Sequence, residues 1–178
     1  NYQTGLSNLK EAAKGLETLG ENDNLFYAKL NIARAYLELN ELDSALATID
    51  EALRLEISNQ AHNWSGAALT TKAAIQFNQN KYKEAEITYI KALETNFTNL
   101  NYNDAARDQN GLAELYLLTH LPDKALEYAF YAIQSAKVFS AQDELARAYA
   151  VISGAYAAKN IVDSAYHYLH LANAIKDS

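Results

Sequence analysis

AELYLLTHLPDKALEYAFYAI, residues Ala113 to Ile133, carries four residues whose spacing recurs along the chain: Ala113, Tyr116, Ala125 and Ala132. Forty residues later stand Ser153, Tyr156, Ala165 and Ala172. Forty earlier stand Ala73, Ala85 and Ala92, and eighty earlier Ala33, Tyr36, Ala45 and Ala52. A fixed period of this size is the signature of a solenoid, in which each unit buries its apolar face only by stacking on its neighbours.

Composition agrees with an all-α solenoid. The 178 residues are 49% hydrophobic and 21% charged, enough for a packed core. With one proline, Pro122, and six glycines, little interrupts helices, so strands are not expected. The net charge of -7 is spread along the chain, and no Lys/Arg run follows a phosphate backbone, so direct nucleic-acid binding is disfavoured. No apolar run reaches the roughly 20 residues of a membrane helix. The lack of cysteine fits the cytoplasm and is compatible with a bacterial periplasm. The chain has no methionine, even at position 1, and is expected to be a piece of a longer product.

Taken in order, the pattern predicts one solenoid over 1-178. A lone helix within 1-19 (Thr4 to Leu19) matches the second helix of a repeat, with Gly5, Leu9 and Ala12 aligned to Ala45, Ile49 and Ala52. Four hairpins follow, over 24-57, 62-97, 104-140 and 142-176. Their helices are predicted at Asn24–Leu39, from Asp43 or Ser44 to Ile57, His62–Gln79, Tyr82–Phe97, Asp104–Thr119, Asp123–Ser140, Gln142–Lys159 and Val162–Lys176, with Asp23 as a candidate cap. Pro122 suits a first helical turn. Ala33, Ala73, Ala113 and Ser153 on first helices, and Ala45, Ala85, Ala125 and Ala165 on second helices, let the axes approach to the usual 8 to 10 Å or so. Tyr36, Tyr116 and Tyr156, with Phe77 as substitute, fill the volume beside them.

These residues, in this order, resemble the tetratricopeptide repeat (TPR) family, whose pattern is a small residue, an aromatic three later, then two alanines. The period here is forty instead of thirty-four, and Ile57, Phe97, Lys137 and Asp177 occupy the places of the usual closing proline. The resemblance implies nine antiparallel helices in a right-handed superhelix that binds a protein or peptide in a concave groove. The long-period version resembles the TPR sensing region of bacterial sensor kinases and transcriptional regulators. That implies a non-enzymatic sensory or partner-docking region; the alternative is a scaffold or assembly adaptor without signalling output. The chaperone-adaptor branch is disfavoured, because Arg34, Ala74, Glu114 and Gly154 stand where its asparagine is needed.

Catalytic and metal chemistry find little support. His62 and His120 lie in connections, and His167 and His170 face outward on the last helix without the acidic or thiol companions of a four-ligand site. The glycines form no phosphate loop. No cofactor is implied. Trp64, at the edge of a connection, is open to a stacking role.

The repeat register places the groove on the first helices. Its candidate ligand-binding residues are Tyr27, Arg34, Asn78, Arg107, Asn110, Glu114 and Arg147. Arg107 and Arg147 share one repeat position, about 10 Å apart on adjacent helices. They are placed to clamp a carboxylate or phosphate, with Asn110 on a peptide backbone. The structural alternative is a solvated face on which Arg107 pairs with Asp104 and Arg147 with Asp143. The last helix carries Tyr166, Tyr168, Leu169 and Ile175 on more of its circumference than one neighbour covers, so a further helix or a second copy is expected there.

Overall fold

The described residues, 2–59 and 65–177 of the computed structural model, form nine α-helices and no strand. They are α1 (Tyr2–Leu19), α2 (Asn22–Glu38), α3 (Leu42–Asn59), α4 (Ser65–Asn78), α5 (Tyr82–Thr98), α6 (Tyr102–Leu118), α7 (Pro122–Val138), α8 (Gln142–Ala158) and α9 (Val162–Lys176). Trp64 and His62 lie outside the described residues.

Among the described residues, stops at positions spaced by multiples of twenty set these bounds. Gly20, Asn40, Asn80, Leu100, His120, Ser140 and Asn160 have positive φ, between 52° and 70°. After each, the next N–H reaches back five residues to a carbonyl, as in Glu41 to Tyr36, Asn101 to Asn96 and Leu121 to Tyr116, at 2.8 to 2.9 Å. This left-handed closure satisfies carbonyls that a helix end would otherwise leave bare. Helices therefore begin two residues past each stop and run for 17 residues in α2 and α5 to α8. That moves several edges from their sequence positions: α2 opens at Asn22 and not Asn24, α6 at Tyr102 and not Asp104. Asp23 is consequently inside α2, whose cap position, Glu21, makes no side-chain cap bond.

The chain divides into two compact units, Asn1–Thr88 and Tyr89–Ser178, with the division inside α5. In the first, Phe26, Leu30 and Ala33 of α2 pack with Ala45, Ile49 and Ala52 of α3 and Ala68 and Ile75 of α4. A second cluster joins Leu6 and Ala13 of α1 to Leu25, Ala28 and Ile32 of α2. The α1 register thus differs from the alignment above, since Gly5 and Ala12 are exposed and Leu6 and Ala13 face the core.

In the second unit α6 packs on α7, α7 on α8, α8 on α9, and first helix α6 on first helix α8. The small residues lie where the pattern puts them, with Ala113, Ala125 and Ala132 fully buried. At the next crossing the Ser153 hydroxyl donates to the Ala165 carbonyl at 2.7 Å, so the two small positions of one hairpin touch. Tyr116 is buried; Tyr156 is half-buried and stacks on Tyr168, ring centroids 5.8 Å apart. Tyr168 therefore turns inward, whereas Tyr166 and Leu169 are exposed.

Two stability changes follow. Ala125→Leu should destabilise the protein by about 1 to 3 kcal/mol in denaturant unfolding, because the crossing has no room for the added carbons. Leu100 sits at φ 57° with its side chain exposed. Leu100→Asn should therefore stabilise by about 1 kcal/mol by easing a left-handed backbone that leucine disfavours.

Candidate partner-binding site

First helices α6 and α8 of the second unit carry a joined set of polar side chains. On α6, residues 107, 110 and 114 recur at three and four, so one stripe presents Arg107, Asn110 and Glu114. On α8, Glu144 and Arg147 recur at three.

Glu144 connects the two helices. Its carboxylate is buried and accepts from Arg107 Nε at 3.3 Å, Asn110 Nδ2 at 2.8 Å and Arg147 Nη1 at 3.1 Å. The same Asn110 amide donates to the Glu144 carbonyl at 2.9 Å. A buried carboxylate is tolerable only with such partners. Arg107 also donates to Asp104 at 2.8 Å. Asp104 is fixed in turn by Asn101, the cap of α6, which donates to its carboxylate at 2.7 Å and accepts from its N–H at 3.3 Å.

Arg147 grips Glu114 with both oxygens engaged, at 3.1 and 3.0 Å. Burial works against its charge, but Glu114 and Glu144 outweigh that and raise its pKa further. Two guanidiniums thus face the three carboxylates of Asp104, Glu114 and Glu144. The sequence paired Arg147 with Asp143; the structure gives it Glu144 and Glu114 instead.

Beneath this set lies Tyr89, a buried residue of α5. Its ring crosses the α6 backbone at Gly111, where an added Cβ would stand 2.4 Å from Tyr89 Cζ. Burial, then the charge of Glu114, pushes the phenol well above the ordinary tyrosine value, with Arg147 pulling the other way. Nearby, Asn96 donates to Asp108 at 2.7 Å between two fully buried side chains. Next to Arg107 opens a cleft of about 420 Å³, lined also by Asn103, Phe139, Ala141, Gln142, Asp143 and Glu144.

The structure thus brings together Arg107, Asn110, Glu114 and Arg147, with Asn110 fully buried and the other three part-exposed. The remaining candidates belong to the first unit. There Arg34 Nε donates to Thr71 Oγ1 at 3.3 Å, and Asn78 donates to its own helix at the Ala74 carbonyl. Tyr27 is exposed, edge-on to Phe26. Sequence reasoning missed Glu144 and the Tyr89–Gly111 contact. The signal for the second was a glycine inside a first helix, a place where packing usually explains it. His167 and His170 are exposed on α9, and His120 occupies a left-handed turn.

No protein-family model and no curated protein sequence matches the chain. Solved structures do. The crystal structure of BtubC (BKLC) from P. vanneervenii is similar over 99% of this chain and 73% of that one, with a TM-score of 0.83 and 20% identity. MamA is similar over 99% and 89%, with a TM-score of 0.67 and 19% identity. A Podosopora anserina putative kinesin light chain with nearly identical TPR-like repeats is similar over 98% and 87%, at 0.71 and 15%. At these identities the likeness is one of fold, a TPR-like helical-repeat solenoid.

Two outcomes test the packing under the site. Gly111→Ala should cost about 1 to 3 kcal/mol in denaturant unfolding, and Tyr89→Leu should recover part of it by removing the ring in the way. Because the folded-state pKa of Tyr89 is raised, its contribution to stability is complete below ~10, the unfolded value, and is lost as pH rises beyond it. Thermal melts should show the parent losing stability above that pH more steeply than Tyr89→Phe.

Proposed function

We propose that the chain is a non-enzymatic module that binds a protein or peptide segment on its first-helix surfaces, as the sensory or partner-docking region of a larger bacterial regulatory protein. The observation that carries this is the state of Arg107, Glu114 and Arg147. Each is held by hydrogen bonds, yet their side chains stay 41%, 34% and 39% exposed. Polar groups fixed before binding lose less conformational freedom when a partner arrives. Asn110 supports the surface from inside by holding Glu144. In the first unit Tyr27, Arg34 and Asn78 take the same role on α2 and α4. The regulatory parent rests on the forty-residue period and its resemblance to the sensing regions described above. The non-enzymatic reading rests on commitment: both guanidiniums and Glu144 are bound to one another, not arranged around an open reacting centre.

A second reading, a scaffold or assembly adaptor that self-associates through its last helix, is favoured by α9. Val162, Tyr166 and Leu169 there are 72%, 70% and 47% exposed. Exposed apolar faces of this kind mark association surfaces. Sedimentation should then show concentration-dependent dimers that Leu169→Asp abolishes; a parent monomeric at all concentrations removes this reading.

The leading reading is tested with peptides selected from a displayed random library. Joint replacement Glu114→Gln and Arg147→Gln, which leaves the net charge unchanged, should weaken the selected peptides about tenfold or more. Glu127→Gln on α7 should leave them unaffected. Peptides sensitive to the α7 change and indifferent to the α6/α8 pair overturn the proposal.

A further inference from the structure

We infer that the cleft beside Arg107 receives an arginine side chain of the partner, with the guanidinium stacked on Phe139 and paired with Asp143. The inference rests on the reading of the chain as a partner-binding module and adds the chemistry of what it holds. The first argument is charge. The cations and carboxylates at the cleft are Arg107 against Asp143 and Glu144, with Asp104 bonded directly behind Arg107. Arg107 is an unpromising anion receptor, since its Nε and Nη1 are already given to Glu144 and Asp104. Glu144 is likewise engaged by Arg107, Asn110 and Arg147. Asp143 differs. It is exposed and, among the described residues, makes no ion pair. An incoming anion would meet that carboxylate, whereas a cation would be paired by it.

The second argument is shape. Phe139 is 56% exposed and stacks on Tyr102, centroids 6.3 Å apart and planes at 26°, and Tyr102 in turn meets Phe97 edge-on at 5.9 Å. The aromatic wall is therefore braced from behind while one part of Phe139 faces solvent. A guanidinium is planar, so it stacks on a ring while bonding a carboxylate edge-on, and unlike an imidazolium it is charged at every working pH and carries five N–H donors. Its remaining N–H groups need acceptors, and Asn103 and Gln142, which line the cleft, each carry an amide oxygen that can accept. The volume of about 420 Å³ leaves space for that side chain and part of the backbone that carries it.

The test uses the whole chain and capped alanine hexapeptides carrying two arginines, two citrullines, two lysines or two glutamates, followed by amide chemical shifts. The arginine peptide should shift Asn103, Phe139, Gln142 and Asp143, and bind about tenfold more tightly than the isosteric, neutral citrulline peptide. Asp143→Asn and Phe139→Ala should each weaken it by a similar factor while far-UV circular dichroism shows both variants folded at the assay temperature, the second with a lowered melting temperature from the lost Tyr102 contact. The inference is overturned if the glutamate peptide shifts the same amides more, if citrulline binds equally, if Asp143→Asn leaves the affinity intact, or if no peptide touches the cleft. A peptide that shifts the Glu114 and Arg147 region but not the cleft overturns this inference alone and leaves the partner-binding reading standing.

Discussion

The close approach of two helices at a pair of small residues is the constraint on which the remainder depends. Where Ser153 touches the Ala165 backbone, nothing larger than a methyl or hydroxyl separates the helices. Ala113 and Ala125, the matching positions of the preceding hairpin, are fully buried. Side chains this small bury little apolar area themselves. They let the larger groups on either side, Leu112, Tyr116 and Ile133, pack at interior density. The same approach brings first helix α6 against first helix α8, close enough for Glu144 to reach side chains on both.

That proximity gives the polar face its character. A carboxylate as buried as Glu144 is held there by three donors from two helices, and removing any one would leave charge poorly compensated. The network is therefore a specification of register between α6 and α8 as much as a source of stability. Its outer members remain accessible at the surface while their positions are fixed from inside.

The fold was legible in the sequence because the small residues recur at one period and because a helix crossing tolerates few residue types. The helix ends were legible to within two residues, but the left-handed stop that follows most of them was not, and the reason is local. Gly20, Asn40, Asn80 and Asn160 are ordinary occupants of a left-handed stop, and His120, with Pro122 after it, is a weaker one, but Leu100 and Ser140 give no such signal. The side-chain arrangement of the candidate site was half legible. Repeat register brought out Arg107, Asn110, Glu114 and Arg147, and spacing explained the Arg107–Asp104 pair. Glu144 escaped because an acidic residue in a first turn already has a sufficient reason in the helix dipole. Only the tertiary contact of α6 with α8 discloses that it points inward.

The central claim is that the first-helix surfaces are where a partner binds. Hydrogen exchange on the chain with and without a library-selected peptide measures this directly. Slowed exchange should concentrate in α6 (Tyr102–Leu118) and α8 (Gln142–Ala158), with α7 (Pro122–Val138) unchanged. Slowing confined to α7 or α9, with α6 and α8 exchanging as in the free chain, would contradict the account.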